Sequence, residues 1–215
     1  MPVTAKICGI NAADAMVAAV SGGASHIGLN FYPPSPRHVT PRQAAALADA
    51  VPGGVCKVGL FVEPDDGVLA ATLAEVTLDL LQLHGDESVE RVAAVRARFG
   101  VPVMKAIRIA GKGDVETAER FAEVADWLLF DARAPATFEG ALPGGNALAF
   151  DWRLLAGRDW PAPWMLSGGL DAGNVAEAVA ISGARMVDVS SGVEDRRGHK
   201  SPEKIAAFLA AVAAL

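Results

Sequence analysis

The residues numbered 5–31 read "AKICGINAADAMVAAVSGGASHIGLNF", and their reading decides the fold. A short run, "AKICG", is followed by the Ala-rich helical pattern "AADAMVAAVSGG" and then by a second apolar run, "HIGLNF". A strand, a helix and a strand in that order make a crossover unit, whose two strands lie parallel. The rhythm recurs along the chain. Further strand candidates are "CKVGLFV", "LLQLHG", "VPVMKAI", "WLLFDA", "PWMLSGG" and "MVDVSSG". Between them fall helical stretches such as "TPRQAAALADAV", "DESVERVAAVRARFG" and "DAGNVAEAVAISG". Thr40-Pro41 and Ser201-Pro202 read as an N-cap followed by proline in the first turn. Gly22, Gly100 and Gly183 stand where a left-handed residue ends a helix.

About eight such units close a (β/α)₈ barrel, the fold class we expect, as one domain over residues 1–215. An open doubly wound sheet is the alternative, but no glycine fingerprint follows the first strand. The unit after "WLLFDA" is irregular. "RAPATFEGALPGGNALA" reads as a long loop, which leaves "DWRLLAG" as a short helix. No linker or low-complexity tract divides the chain.

Composition narrows the function. The 215 residues are 52% hydrophobic and 20% charged, which argues for a packed core and against disorder. A formal charge of −6 gives no basis for nucleic-acid binding. No apolar run reaches the length of a membrane span, and no leader precedes Lys6, so a cytoplasmic protein is expected. Two cysteines, Cys8 and Cys56, make neither a disulfide framework nor a metal-ligand pattern.

A barrel of this kind carries its active site at the C-terminal ends of its strands. Those ends hold Cys8-Gly9, Asn30-Phe31, Phe61-Val62, His84-Gly85, Arg108, Asp131, Ser167-Gly168-Gly169 and Ser190-Ser191-Gly192. Gly168 and Gly169 let the backbone approach an oxyanion, and Ser190 and Ser191 add hydroxyl donors. Two such turns at consecutive strand ends favour a phosphate site over mere tight turns. Asp131 follows an apolar run, where an unpaired carboxylate is costly, so a function is favoured. Lys6 shares a face with Cys8, and Asp188 with Ser190. When the barrel closes, Lys6 is expected to pair with Asp188, either as an internal salt bridge or as the cation that makes Cys8 acidic. His84 is read as lining the pocket. Cys56 is read as core packing, and His26, His38 and His199 as surface or loop residues.

Taken in order, "KICGI", "GLNFYPPSPRHV", "VGLFV", "LQLHGDE", "LSGGL" and "VDVSSGVE" resemble the phosphoribosylanthranilate isomerase family of tryptophan biosynthesis. The resemblance runs from Lys6 to "SPEKIAAF" in the last helix. It implies a barrel that performs an Amadori rearrangement without metal or organic cofactor, on a small phosphosugar substrate, as a monomer or homodimer. It also implies that Cys8 is the general base, Asp131 the general acid and Arg37 the partner of the anthranilate carboxylate. Phosphate would fall on Gly168, Gly169, Ser190, Ser191 and Gly192. The chain departs from the family in reading Gly144-Gly145-Asn146-Ala147 for a commoner GGTG, and LSGGL for LAGGL. Both proton-transfer positions are untouched.

The chemistry makes its own demands. Opening a furanose to a Schiff base needs an acid at the ring oxygen, and the next step needs a base at C2′. The acid must hold its proton, and a thiol base must lose it, through nearby cations or N–H donors. Two other readings stay open at this level: a different phosphosugar enzyme such as an epimerase, and a phosphate-binding barrel without catalysis. A second aminoaldose substrate with two phosphates also stays open, although only one phosphate site is visible.

Overall fold

In the computed structural model, which describes residues 2–135, 137 and 142–215, eight parallel strands close on themselves in the order β1 to β8. They are β1 (Thr4–Cys8), β2 (His26–Asn30), β3 (Cys56–Phe61), β4 (Leu80–Leu83), β5 (Val103–Ile109), β6 (Trp127–Ala132), β7 (Trp164–Leu166) and β8 (Met186–Val189). The helices are α1 (Ala13–Ser21), α2 (Pro41–Ala48), α3 (Asp66–Glu75), α4 (Val89–Phe99), α5 (Lys112–Ala122), α6 (Val175–Ser182) and α7 (Pro202–Ala213). A hairpin, β9 (Glu194–Arg196) and β10 (His199–Lys200), is inserted between β8 and α7.

Alternation along the strands splits the apolar side chains into two sets. Val58, Leu80, Met104, Ala106, Leu129 and Met165 form a separate cluster that plugs the barrel, with Cys56, Trp127 and Met186 packed against it. The other strand faces join the helices in one larger core that includes Ile7, Ile27, Leu81, Val103, Phe130 and Val187. Close packing of the plug leaves polar chemistry to the layers above it.

Local signals act as chemistry requires. Thr40 accepts from the backbone N–H of Gln43, whose side chain reaches back to Thr40, a reciprocal cap over Pro41. Ser201 accepts from the Lys204 N–H ahead of α7. Gly100 and Gly183 end their helices at φ +65° and +75°. Gly22 does not: its φ is −79°, and Gly23 takes the left-handed conformation at φ +85°. The sixth unit carries no α-helix among the described residues, only a 3₁₀ turn at Trp152–Leu154. The preceding loop, residues 133–149, is rich in Pro and Gly, which disfavour a helix; its residues 136 and 138–141 lie outside the described set.

One histidine corrects the sequence reading. His26 is buried on β2, 2.9 Å from Ser25 Oγ through Nδ1, with its ring edge-on to Trp127 at 5.7 Å. Burial, then the charge of Lys6, pull its pKa down to about 4. His38 is half-buried and bridges to Asn30 through its backbone, and His199 is exposed. Cys56 is half-buried, and burial followed by the charge of Asp79 pushes its thiol up to about 11, so it stays protonated and inert.

Candidate active site

A cleft of about 680 Å³, including its open mouth, lies over the C-terminal ends of the strands. Cys8 enters it from β1 and Asp131 from β6, both buried at its floor. Arg37, His84, Gly168, Gly169, Asp188, Ser190 and Ser191 line it as well. Gly192 and Lys6 stand behind this surface, outside the lining.

The surroundings of Cys8 are built by β1, β2 and β8. Lys6 lies directly opposite Asp188 in the strand register and donates to its Oδ1 at 2.8 Å. Ser167 donates to the other oxygen at 3.0 Å. Burial alone would lower the Lys6 pKa, but the charge of Asp188, followed by that of Cys8, outweighs it and holds Lys6 above its ordinary value. Lys6 is therefore a fixed cation beside the thiol. Burial nevertheless pushes the Cys8 thiol up, and the opposing pull of Lys6 and Lys200 does not reverse it. Lys6 acts in the direction expected of an activating cation, but desolvation is the larger effect. Gly9, at φ +78°, explains the glycine after the cysteine: a Cβ there would lie 2.6 Å from Arg37 Cδ, so only glycine lets that side chain pass.

Arg37 is delivered by the loop after β2. Asn30 Oδ1 accepts from the Tyr32 N–H at 2.9 Å, and Ser35 Oγ accepts from the Arg37 N–H at 3.2 Å, between three stiffening prolines. The guanidinium is buried, and its Nε/Nη2 edge is already engaged. Nε donates to Glu194 Oε1 at 2.6 Å, Nη2 donates to Oε2 at 2.9 Å, and Nη2 also reaches Gly145 O at 3.2 Å. The bidentate match expected for a substrate carboxylate is thus made by an internal glutamate. Glu194 also accepts from Lys200 Nζ at 2.9 Å and from the Gly198 N–H at 3.0 Å, while Lys200 Nζ donates to Ser190 O at 2.8 Å. Burial is the main force lowering the Lys200 pKa to about 8, against the pull of Glu194.

Burial acts to raise the Glu194 pKa, but the hydrogen bonds from Arg37 and the charge of Lys200 outweigh it and bring the group to about 2. A depressed carboxyl contributes stability above its unfolded value, and that contribution is lost as pH falls toward the folded one. Urea unfolding should therefore show stability declining between about pH 4.5 and 2. Glu194→Gln should flatten that decline, and an unchanged slope would remove Glu194 from its cause.

On the other side of the cleft, Asp131 Oδ1 accepts from the Ala132 N–H at 2.8 Å, and its Oδ2 lies 3.2 Å from His84 Nε2. Gln82 Nε2, two residues earlier on β4, lies 2.8 Å from His84 Nδ1. Both Gln82 and His84 are buried.

Gly168 and Gly169 turn the chain at φ +90° and +64°. Asn174 Nδ2 donates to Gly169 O at 2.8 Å and fixes the entry to α6. Gly192 holds the next turn against this one: a Cβ there would lie 1.9 Å from Leu170 O. The two turns are therefore one packed unit.

Sequence reasoning missed three residues that shape the site. Gln82 shares its strand face with His84, so the two-residue period carries a signal for it. Glu194 stands inside the quoted "VDVSSGVE". Lys200 has no local signal, because a hairpin brings it back under Ser190.

The geometry agrees with comparisons to known proteins. A family model described as "N-(5'phosphoribosyl)anthranilate (PRA) isomerase" matches residues 5–211. The N-(5'-phosphoribosyl)anthranilate isomerase of Rhodospirillum centenum is 61% identical over 215 residues, covering 100% of both chains. The crystal structure of phosphoribosyl anthranilate isomerase from Thermotoga maritima superposes with a TM-score of 0.87 at 32% identity, over 99% of this chain and 100% of that one. A phosphoribosyl anthranilate isomerase solved with reduced 1-(o-carboxyphenylamino)-1-deoxyribulose 5-phosphate gives a TM-score of 0.82 at 30% identity, over 99% and 100% of the two chains. A closed eight-stranded parallel barrel, a match spanning almost all of it and a full-length relative at this identity lead to one conclusion: the chain belongs to the N-(5'-phosphoribosyl)anthranilate isomerase family.

Proposed function

We propose that Asp131 is the general acid and Cys8 the general base in the isomerisation this enzyme catalyses. The reaction is the Amadori rearrangement of N-(5'-phosphoribosyl)anthranilate to 1-(o-carboxyphenylamino)-1-deoxyribulose 5-phosphate. The observation that carries the proposal is that a thiol from β1 and a carboxylate from β6 face one cleft. Asp131 gives its proton to the ring oxygen as the C1′–O bond breaks and the anthranilate nitrogen forms the C=N bond. Cys8, as thiolate, then takes the C2′ proton, and the resulting enolamine gains a proton at C1′ and loses the one on O2′ as it becomes the ketone. One acid and one base suffice for this sequence.

The turns at Gly168-Gly169 and Ser190-Ser191-Gly192 hold the 5′-phosphate in this reading. Behind that turn, Lys200 Nζ donates to Ser190 O and Oγ. Arg37 meets the anthranilate carboxylate through Nη1, since its other edge is engaged by Glu194. His84 supports Asp131. The chain acts as one catalytic domain in the cytoplasm, as a monomer or homodimer. No helix among the described residues is long and apolar enough to cross a membrane.

Purified protein mixed with freshly generated N-(5'-phosphoribosyl)anthranilate should quench its fluorescence as product forms; no turnover would sink the assignment. Gly192→Ala tests the phosphate reading, because a methyl group there forces the two turns apart. KM should rise about tenfold, equivalent to ~1.4 kcal/mol, with a smaller change in kcat. An unchanged KM would move the phosphate elsewhere.

A further inference from the structure

The barrel interior above its apolar plug contains two separate polar ladders. One is Lys6, Asp188 and Ser167 beneath Cys8. The other runs from Gln82 through His84 to Asp131. Among the described residues, the second ladder contains the one buried side-chain oxygen without a hydrogen-bond partner, Gln82 Oε1. An unpaired buried carbonyl is costly, so something must hold the amide in this orientation.

The neighbours supply the reason. Gln82 Nε2 is a donor only, so a hydrogen bond to His84 Nδ1 requires that nitrogen to be the acceptor. A ring with Nδ1 bare carries its proton on Nε2 and donates it to Asp131 Oδ2. Asp131 thus receives one N–H on each oxygen, from His84 and from Ala132. Turning the Gln82 amide by 180° would pair Oε1 with an Nδ1–H tautomer and place a bare ring nitrogen against the carboxylate, lone pair to lone pair.

We propose that Gln82 is a positioning residue for this reaction: it fixes the Nε2–H tautomer of His84, which stabilises the carboxylate that Asp131 becomes once its proton has left. The inference rests on the assignment of Asp131 as the acid and extends it. In the ring-opening step the O–H bond of Asp131 breaks and the new O–H bond forms on the substrate oxygen. His84 keeps its proton throughout. Its hydrogen bond shortens the climb to the transition state because it strengthens as negative charge collects on Asp131.

The test uses protein labelled with ¹⁵N-histidine. In wild type, the His84 resonances should report a protonated Nε2 and an unprotonated Nδ1. Gln82→Glu supplies an acceptor instead of a donor, so the tautomer should reverse. kcat should then fall about tenfold or more while KM stays within about twofold. Gln82→Met keeps volume but removes the amide. It should give a mixed tautomer and an intermediate kcat, and it carries the test alone if the glutamate variant does not fold. An Nδ1–H tautomer in wild type, or variants with unchanged tautomer or unchanged kcat, would overturn the proposal. The resonance assignment does not depend on which residue is the acid. If Asp131→Asn retained activity, the acid assignment would fail while the tautomer result could still be read.

Discussion

Replacing Asp131 by asparagine is expected to lower kcat about 10²- to 10⁴-fold, with KM little changed. Asparagine copies the shape and keeps one acceptor, but it has no proton to give at neutral pH. Oδ1 accepts from the Ala132 N–H, and Oδ2 faces His84 Nε2, the donor in the tautomer proposed above. An asparagine can satisfy only one of these donors and turns its NH₂ on the other, so stability should fall by about 1–3 kcal/mol. Urea unfolding separates that cost from the kinetic one. If the folded variant retained wild-type kcat, Asp131 would not be the acid.

Cys8→Ala should lower kcat by a comparable factor, about 10²- to 10⁴-fold, through a different step. The side chain sits in a tight space: a Cβ on Gly28 would come within 3.1 Å of Sγ and 3.2 Å of Lys6 Nζ. Removing one sulfur there leaves the Lys6–Asp188 pair intact. The pH dependence follows from the thiol's environment. Burial raises the Cys8 pKa despite Lys6 and Lys200, and the base is active only when deprotonated. Wild-type kcat/KM should therefore climb with pH through the neutral and mildly alkaline range, as the thiolate fraction grows. The alanine variant should lose that limb. A variant keeping both rate and limb would exclude Cys8 as the base.

Much of this site could be read from the sequence, and the reasons are specific. A parallel barrel puts the last residue of every strand on one rim, so Cys8 and Asp131 could be placed there from strand counting alone. His84, Gly168-Gly169 and Ser190-Ser191 follow by the same rule. What could not be read depends on which side chains meet across the barrel. Arg37 and Glu194 are separated by 157 positions, and nothing local to either shows that they share a bidentate pair. His26 opens the apolar run "HIGLNF", but the ring it packs against, Trp127, comes from β6 across the barrel. That the sixth unit has no α-helix among the described residues is half legible, since Pro and Gly after β6 announce a loop without showing what it covers. Gly22 against Gly23 shows a smaller limit, because either glycine can end α1 and only the chain's exit to β2 selects the second.

The separation of acid from base is tested most directly by trapping the open-chain imine with cyanoborohydride during single turnovers. Cys8→Ala still has the acid, so it should open the ring and accumulate reducible imine without forming product. Asp131→Asn should stop earlier and yield little or none. Imine trapped in Asp131→Asn but not in Cys8→Ala, or product formed by either variant at the wild-type rate, would contradict the assignment.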